Sequence, residues 1–257
     1  MNKFNAQLRQ AILSVAHQTY SNIEQIIVED GGRNAEQTAK EMARSTGLAI
    51  RYISQPASGR ASAGNAGLSA AKGKWCLFLD DDDLLFADHI ETLVNALANN
   101  STASAAYSIA WEVLTQYKFG DGSHLETCHS VSHLHRQDFD YGVLKHHNYM
   151  PIQSVLFERR LFLENGGMDE CLDALEDWSL WLRFAFENRF VYVPKVTSLF
   201  RTPAEALQNQ QRLRKLHDNY TRARQSAEES IKRKKTHAML KATKVQQFRK
   251  EEISIHA

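Results

Sequence analysis

The sequence has 257 residues, a formal net charge of +1 at pH 7, 43% hydrophobic residues and 24% charged residues. These values are typical of a soluble globular protein with one large domain, or one domain and an appendage, and they argue against a general nucleic-acid binder. No apolar run approaches the roughly 20 residues of a membrane-spanning helix, and the N-terminus lacks the apolar segment of a signal peptide. The three cysteines are widely spaced, which predicts reduced thiols in a cytoplasmic protein rather than a disulfide framework.

Predicted helices and strands alternate through the first hundred residues. Leu8, Ile12 and Val15 recur at helical spacing, whereas the apolar run IEQIIVEDGG ends in acids and two glycines, as a strand followed by a loop does. The small residues of SQPASGRASAGNAG predict a further loop. In chain order, the pattern predicts helices over 5–19, 34–46, 66–71 and 84–99, and strands over 25–28, 49–53 and 74–79. This alternation predicts an α/β fold with a mainly parallel sheet flanked by helices.

Four consecutive carboxylates, Asp80–Asp83, follow the apolar strand in WCLFLDDDDLLF. Asp30 follows an earlier strand, and the carboxyl ends of parallel strands border one crevice in an open α/β sheet. Because neighbouring carboxylates repel one another, the cluster predicts a bound cation, and oxygen ligands select Mg²⁺, Mn²⁺ or Ca²⁺. A solvated acidic turn is the alternative interpretation. An EF-hand is disfavoured, because its loop glycine and distant glutamate are not at their spacings.

The second half of the chain has a less regular pattern. Glu176 and Asp177 begin the stretch EDWSLWLRFAFEN, which has the apolar spacing of a helix. Acids in the first turn of a helix are also favoured by the helix dipole alone, so their presence does not require a catalytic role. Strands are predicted over 105–109, 112–117, 152–157 and 190–194, with a polar hairpin at 120–123.

The segment after Arg201 differs from the rest of the chain. Residues 205–257 contain 13 Lys or Arg and 6 Asp or Glu, a net charge of +7, which leaves −6 for the remainder. Apolar residues recur there at steps of three or four and predict a long helix with a narrow apolar seam: Leu213, Leu216, Tyr220, Ala223, Ala227 and Ile231. We interpret 1–202 as the main domain and 203–257 as a basic helical extension. The extension is compatible with peripheral contact to anionic lipid, with helix pairing, or with a solvated helix.

Five motifs in order resemble those of family 2 glycosyltransferases, which have the GT-A fold. That family has a helix with SV…QTY.N.E and a strand ending in VDDGS, then ARN.GL..A.G, FLD.DD, a GGFDE turn and an EDW.LWLR helix. This sequence has SVAHQTYSNIEQIIVEDGG at 14–32, SAGNAGLSAAKG at 62–73, FLDDDD at 78–83, GGMDE at 166–170 and EDWSLWLR at 176–183. The resemblance covers about residues 8–202 and implies a Rossmann-like fold for nucleotide-diphosphate sugars, followed by the C-terminal helical extension.

The resemblance implies a set of donor-binding residues. By position in the motifs, Asp30 would bond the nucleotide base, Asp81 would lie by the ribose, and Asp82 would hold the metal on the diphosphate. Asp80 opens the DxD pattern and would support the same site, and Asn65 belongs to the loop and helix that bind the nucleotide sugar. The implied cofactor is a divalent cation, Mn²⁺ or Mg²⁺.

The resemblance also implies the acceptor side of the site. Asp177 would be the general base that takes a proton from an acceptor hydroxyl, so that the anomeric configuration inverts. Glu176 and Trp178 would lie on the same side, although Trp178 is also interpretable as a core residue.

The sequence departs from the family pattern at two places. The family usually begins with a central strand resembling VSVIIPTYN, which is missing here, and its loss predicts exposed sheet edges. A misplaced coding start, a fragment and a degenerate protein are all compatible with that departure. The ARN of the family is Ala63-Gly64-Asn65, so the arginine expected at the diphosphate is missing, and Arg60 is the candidate substitute.

The leading hypothesis is a metal-dependent inverting glycosyltransferase that acts on a nucleotide-diphosphate sugar, a UDP-sugar in the first instance. Its acceptor would be a glycan or glycoconjugate in cell-surface polysaccharide biosynthesis. The alternative hypothesis is a catalytically inactive GT-A-like remnant that acts as a binding module. A phosphohydrolase with an aspartyl nucleophile is disfavoured, because its lysine and second acidic motif are not found in the expected order.

Overall fold

The computed structural model describes residues 3–32, 35–117 and 124–254. The helices are α1 (Lys3–Ala16), α2 (Ala35–Thr46), α3 (Arg60–Ala70), α4 (His89–Ala98), α5 (Tyr141–Leu144), α6 (Arg159–Asn165), α7 (Glu176–Ala185) and α8 (Ala206–Ser254). The strands are β1 (Glu24–Asp30), β2 (Ala49–Gln55), β3 (Trp75–Leu77), β4 (Leu84–Leu85), β5 (Ala103–Tyr117), β6 (His124–Ser130), β7 (Val155–Glu158) and β8 (Arg189–Pro203). The predicted hairpin at 120–123 lies outside the described residues.

Helix α3 begins at Arg60, within the stretch that the sequence analysis interprets as a loop. Its glycines allow close packing. A Cβ at Gly64 would lie 3.0 Å from the sulfur of Met168, and one at Gly67 would lie 3.6 Å from a methyl group of Val28. At Gly64 the missing side chain therefore serves the close approach of α3 to Met168, whereas a Cβ at Gly67 would make an ordinary contact with β1.

The strands form a two-stranded sheet and a six-stranded sheet. Strands β1 and β2 pair in parallel. The six-stranded sheet has the order β3-β7-β5-β8-β4, with β6 paired to β5. The α/β fold with flanking helices is confirmed, but the six-stranded sheet is mixed: β5 and β8 are parallel, and its other pairs are antiparallel. The expectation of a mainly parallel sheet is wrong for it, because helix and strand alternate regularly only in the first half of the chain.

Strands β1 and β3 are not hydrogen-bonded to each other, and no described strand lies between them. A cavity of about 710 Å³ separates them and is lined by residues 24–32 and 75–81, among others. We call it the strand-edge cavity. Consecutive strand residues point to opposite faces, so lining by consecutive residues places the backbone edges of both strands at this cavity. These are exposed sheet edges of the kind that the sequence departure predicts.

Helix α8 packs its middle part onto α7. Ala223 and Ala227 are fully buried and belong to the same hydrophobic cluster as Trp178 and Trp181. Tyr220 stacks on Trp178 with 4.8 Å between ring centroids. This part of the predicted extension therefore contributes to the main core, while the division of the chain at residue 202 stays a prediction about folding units. Within the described ranges, the helices lack the combination of length and hydropathy that a membrane span requires.

The packing of α8 predicts a position-dependent effect of a charge on stability. Ala227→Asp is expected to lower the free energy of unfolding by at least about 2 kcal/mol, because the carboxylate is forced into a filled apolar site. The matched control is Ala238→Asp, at an exposed alanine of the same helix, with an expected change within about 0.5 kcal/mol. Urea unfolding measures both, and equal changes would contradict the packing of α8 on α7.

Candidate active site

The acidic residues singled out in the sequence line two adjoining cavities. The strand-edge cavity includes Asp30, Asp80 and Asp81. A second cavity of about 660 Å³, which we call the acidic cavity, includes Asp80, Asp82 and Asp177. Both volumes lie in the range of small-molecule sites. The structure therefore brings residues from β1, from the turn after β3 and from α7 to one continuous region.

The acidic turn after β3 is held by backbone and side-chain contacts. The Asp83 N–H donates to the Asp80 carbonyl at 3.2 Å, which closes the turn. The buried Asp83 carboxylate accepts a hydrogen bond from the Arg201 backbone N–H at 3.0 Å. The Arg201 guanidinium donates to the Asp82 carbonyl and pairs with Glu126 at 3.0 Å. Arg201 comes from the end of β8, more than a hundred residues away in sequence, so local pattern does not reveal this support.

The carboxyl groups of the acidic turn have raised pKa values. Burial raises the pKa of Asp81 to about 6, and the neighbouring Asp82 and Asp80 carboxylates add to the effect. Burial likewise raises the pKa of Asp80 and Asp83, although Arg60 opposes it. A group of acids that binds protons more readily than usual also has an unmet demand for positive charge. A divalent cation is the species that such oxygen atoms would accept.

Arg60 connects the acidic turn to α7. Its Nη2 lies 2.6 Å from Asp80 Oδ2, and its Nε lies 3.2 Å from Glu176 Oε1. Burial lowers the pKa of Arg60, but the Asp80, Glu176 and Asp177 carboxylates outweigh it and raise the pKa above its usual range. Arg60 also lines both cavities. Arg60, the candidate diphosphate arginine, thus lies between the two acidic groups.

Asp177 lies in the first turn of α7. That helix follows Leu175, whose φ of 62° is left-handed and turns the chain sharply. The Asn148 side chain donates to Asp177 Oδ2 at 3.1 Å. Burial, followed by repulsion from Glu176, raises the pKa of Asp177 to about 6, against the opposing effect of Arg60. A carboxyl group with that pKa is ionised at neutral pH and is more basic than an ordinary aspartate.

Asp30 accepts three hydrogen bonds and keeps acceptor capacity for one more. Its Oδ1 accepts from the Gln55 side chain at 2.9 Å and from the Ser58 N–H at 2.8 Å, and its Oδ2 accepts from the Gly59 N–H at 2.8 Å. The Gln55 bond and then the Ser58 bond lower its pKa. Asp30 is therefore an ionised acceptor at the mouth of the strand-edge cavity.

Two predicted residues lie outside both cavities. The Asn65 amide donates to Met168 O and to Glu170, at 3.0 and 2.8 Å, and its oxygen accepts from the Met168 N–H, so Asn65 joins α3 to the GGMDE turn. Trp178 is 1% exposed, and its indole N–H donates to Leu144 O at 2.7 Å. Trp178 is thus a core residue by burial, and an acceptor-side role for it and a donor contact for Asn65 stay predictions. Glu176 is buried and lines the acidic cavity.

Helix α8 reaches the acidic cavity, which the sequence analysis did not anticipate. Arg212, Lys215 and Leu216 line it, although they lie in the segment interpreted as an extension. Their spacing of three and four residues is visible in the sequence and places them on one helix face. Which part of the protein that helix face contacts is decided by the tertiary structure.

The site fits a metal that is bound partly by substrate. In the described ranges, no three His, Cys, Asp or Glu side chains converge as a preformed metal site. Mg²⁺ and Mn²⁺ sites that hold a nucleotide often use one or two carboxylates, with the remaining positions taken by water and phosphate oxygens. Asp80 and Asp82 border the acidic cavity and provide such carboxylates.

Comparison with known proteins identifies the family. The model of glycosyl transferase family 2 matches residues 1–155, more than half of the chain. The chain belongs to glycosyl transferase family 2. This confirms the resemblance derived from the five motifs.

Curated relatives of this family 2 chain are longer than the matched region. An uncharacterized glycosyltransferase of Rickettsia prowazekii, RP339, is 30% identical over 179 residues, which cover 69% of this chain and 54% of the relative. The chondroitin synthase of Pasteurella multocida is 24% identical over 189 residues, which cover 74% of this chain and 18% of that protein. The chain thus spans about half the length of the first relative and much less of the second.

Solved structures share the fold of this family 2 chain. Staphylococcus aureus TarS 1–349 in complex with UDP-GlcNAc has a TM-score of 0.62 at 13% identity, covering 82% of this chain and 58% of TarS 1–349. The mannosyltransferase PcManGT of Pyrobaculum calidifontis, in complex with GDP-Man and Mn²⁺, has a TM-score of 0.57 at 16% identity, covering 94% and 76%. These likenesses confirm the GT-A architecture.

Proposed function

We propose that this chain is a metal-dependent inverting glycosyltransferase that transfers a sugar from a nucleotide-diphosphate sugar, a UDP-sugar in the first instance, to a glycan or glycoconjugate acceptor. The observation that carries the proposal is that Asp82 and Asp177 border one cavity of about 660 Å³, a volume in the range of small-molecule sites. The presence of UDP-GlcNAc and of GDP-Man with Mn²⁺ in two structural neighbours supports this donor class.

The donor is proposed to lie across both cavities. Its base bonds Asp30 at the strand-edge cavity, its ribose lies by Asp81, and its diphosphate reaches Asp80, Asp82 and Arg60 where the cavities meet. Mg²⁺ or Mn²⁺ on Asp82, when bound, would supply positive charge to neutralise the leaving diphosphate. The sugar then extends into the acidic cavity.

Asp177 is proposed to be the general base. Its carboxylate accepts the proton of an acceptor hydroxyl, and the freed oxygen attacks the anomeric carbon from the face opposite the diphosphate. The bond to the diphosphate breaks as the new glycosidic bond forms, so configuration inverts without a covalent enzyme intermediate. Asn148 holds one carboxylate oxygen of Asp177 at 3.1 Å, which leaves the group oriented by a neutral partner rather than by a cation.

The test of this proposal is donor turnover without an acceptor. UDP-GlcNAc, UDP-glucose and GDP-mannose are incubated with the protein and Mn²⁺, with excess EDTA as the control. Slow release of UDP or GDP that depends on Mn²⁺ is the expected result. If the protein neither binds nor hydrolyses any of the three donors, the proposal of a transferase loses its support.

A catalytically inactive binding module is the second candidate. The unpaired edges of β1 and β3 favour it, because a sheet interrupted beside Asp30 and Asp80 holds both less firmly. Donor binding without turnover is its expected signature. For the active enzyme we propose a cytoplasmic location, a role in cell-surface polysaccharide biosynthesis, and peripheral contact of the basic part of α8 with the membrane.

Removing Arg60 is expected to move the pH dependence of turnover. Its positive charge lowers the pKa of Asp177, so Arg60→Met should raise that pKa and shift the acidic limb of kcat upward by roughly one pH unit. The groups that face Asp177 are Glu176, Arg60 and Asn148, and only Arg60 is replaced in the variant. Arg136→Met, at an exposed arginine that lines neither cavity, is the control and should leave the limb in place. An unshifted limb in Arg60→Met, with only a higher KM for the donor, would contradict an electrostatic role toward Asp177.

A further inference from the structure

Two cations of helix α8 border the acidic cavity without a carboxylate partner. Arg212 and Lys215 line it together with Asp82 and Asp177. Among the described residues, neither Arg212 nor Lys215 forms an ion pair. The other two cations of the cavity are engaged: Arg60 pairs with Asp80, and Arg201 pairs with Glu126. Seven Asp and Glu residues line the same cavity, but among the described residues none of them lies within ion-pair distance of Arg212 or Lys215.

The position of these two cations is set by the packing of α8. Arg212 precedes Tyr220 by about two helical turns, or about 12 Å at 1.5 Å per residue. Tyr220 stacks on Trp178 and donates through its hydroxyl to His146 O at 2.9 Å. Ser226 donates to Asp169 further along the helix. The helix that carries Arg212 and Lys215 is therefore fixed to α7, the helix that carries Asp177.

The residues that line only one of the two cavities distinguish the proposed nucleotide side of the site from the side that carries Arg212 and Lys215. Arg60 and Asp80 belong to both cavities, whereas Asp30 lines only the strand-edge cavity. Arg212 and Lys215 line only the acidic cavity. If the nucleotide lies toward Asp30, then Arg212 and Lys215 lie on the side that the acceptor enters. A neutral glycan would leave both cations solvated, whereas an anionic one would neutralise them.

We propose that Arg212 and Lys215 select an acceptor that bears an anionic group, a phosphate or a carboxylate, next to the hydroxyl that is glycosylated. Residues at i and i+3 on a helix have Cβ atoms about 5–6 Å apart, so both cations can reach one anionic group. Charge-assisted hydrogen bonds of guanidinium and ammonium groups to such oxygens are the strong kind. This inference rests on the proposed transferase function and adds the acceptor class to it.

The test compares matched oligosaccharides by direct titration at 150 mM salt. The probes are a neutral tetrasaccharide, a uronate-bearing tetrasaccharide and a phosphate-bearing tetrasaccharide, each added to the full chain with UDP and Mn²⁺. The unsubstituted protein is expected to bind at least one anionic probe about tenfold more tightly than the neutral probe. The double variant Arg212→Gln, Lys215→Gln should lose that preference and keep its affinity for UDP with Mn²⁺ within about twofold. Which anionic probe is preferred identifies the anion.

The matched control is the double variant Arg214→Gln, Arg222→Gln. It removes the same net charge from exposed positions of α8 that line neither cavity, so it should keep the preference. Loss of preference in both double variants would mean a general charge effect and would overturn the proposal. A tenfold loss of UDP affinity in the first variant, with the preference intact, would assign the cations to the donor diphosphate and would overturn it too.

The remaining outcomes separate this inference from the proposed function. Equal or undetectable binding of all three oligosaccharides, while Mn²⁺-dependent donor hydrolysis persists, overturns the acceptor class alone. Absence of donor binding and hydrolysis overturns the proposed function. In that case, a preference for an anionic probe that is lost in the first variant would still support an anion site, on a binding module.

Discussion

Replacing Asp177 by asparagine is expected to lower kcat for sugar transfer by about 10²–10⁴-fold, the contribution typical of a positioned general base. The amide is nearly isosteric, and Asn148 and Arg60 remain in place, so the cavity keeps its shape. Because Asp177 borders only the acidic cavity, the affinity for UDP with Mn²⁺ should change by less than about threefold. Steady-state transfer and nucleotide titration measure the two quantities separately.

The control for that prediction is Asp138→Asn, at an exposed carboxylate that lines neither cavity, and its kcat should equal that of the unsubstituted protein. A large loss of nucleotide affinity in Asp177→Asn would show that Asp177 stabilises the fold of the site instead. Since burial raises the pKa of Asp177 to about 6, kcat of the unsubstituted protein should fall as pH decreases below about 6. Protonation removes the base that accepts the hydroxyl proton.

Saturating Mn²⁺ with UDP is expected to raise the melting temperature at pH 7.5 by on the order of 5–10 °C, and Asp82→Asn should abolish most of that rise. Ligand at a hundredfold excess over Kd adds about 2.7 kcal/mol of stability, and each kcal/mol shifts the melting temperature of a chain of this size by roughly 2–4 °C. The physical reason is charge: the acidic turn accumulates carboxylates next to one another, and a divalent cation relieves their repulsion.

The same cluster sets the sign of the pH dependence. Asp80, Asp81 and Asp83 have higher pKa values in the folded protein than their usual values, so the folded state binds more protons. The stability associated with these protons is present below about pH 4 and is lost as pH rises through the folded pKa values, which is about 6 for Asp81. Without ligand, the melting temperature should therefore fall between pH 5 and pH 7.5 as far as these groups determine it. The rise caused by Mn²⁺ with UDP should be larger at pH 7.5, where fewer protons compete with the cation.

Differential scanning fluorimetry at the two pH values measures these shifts, with Asp138→Asn again as the control. A full Mn²⁺-dependent rise in Asp82→Asn, at both pH values, would place the metal elsewhere. A rise that is equal at pH 5 and pH 7.5 would instead disprove the coupling between protons and the cation at the acidic turn.

Much of the fold can be derived from residue patterns that act over short distances. Helices α2 and α7 and strands β1 and β2 correspond closely to their apolar periodicity and to the acids and glycines at their ends. The family assignment also follows from local motifs, because the residues of each motif are close together in the sequence, within one turn or at one helix end. Extended strands are harder to delimit: β5 joins two predicted strands, and β8 continues well beyond 190–194, because each pairs along the other for most of its length.

Residues of the site divide in the same way. Asp30, Asp82 and Asp177 can be named from their motifs. Each follows a strand or begins a helix, and the local pattern is enough to locate such a position. Other contacts of the site join residues that lie from 20 to more than 100 positions apart in the sequence. They are the salt bridges of Arg60 to Asp80 and Glu176, the hydrogen bond from Arg201 to Asp83, and the position of Arg212 at the acidic cavity. The periodicity of apolar residues does not predict such pairs, because it indicates which face of a helix or strand is apolar and not which other element covers that face. The sequence by itself thus determined most helices and strands, the family and the candidate carboxylates. Long-range packing decided the mixed pairing of the six-stranded sheet, the separation of β1 from β3 and the placement of cations around the acids. The physical reason is that segments far apart in the chain compete for the same strand edges and the same charged partners.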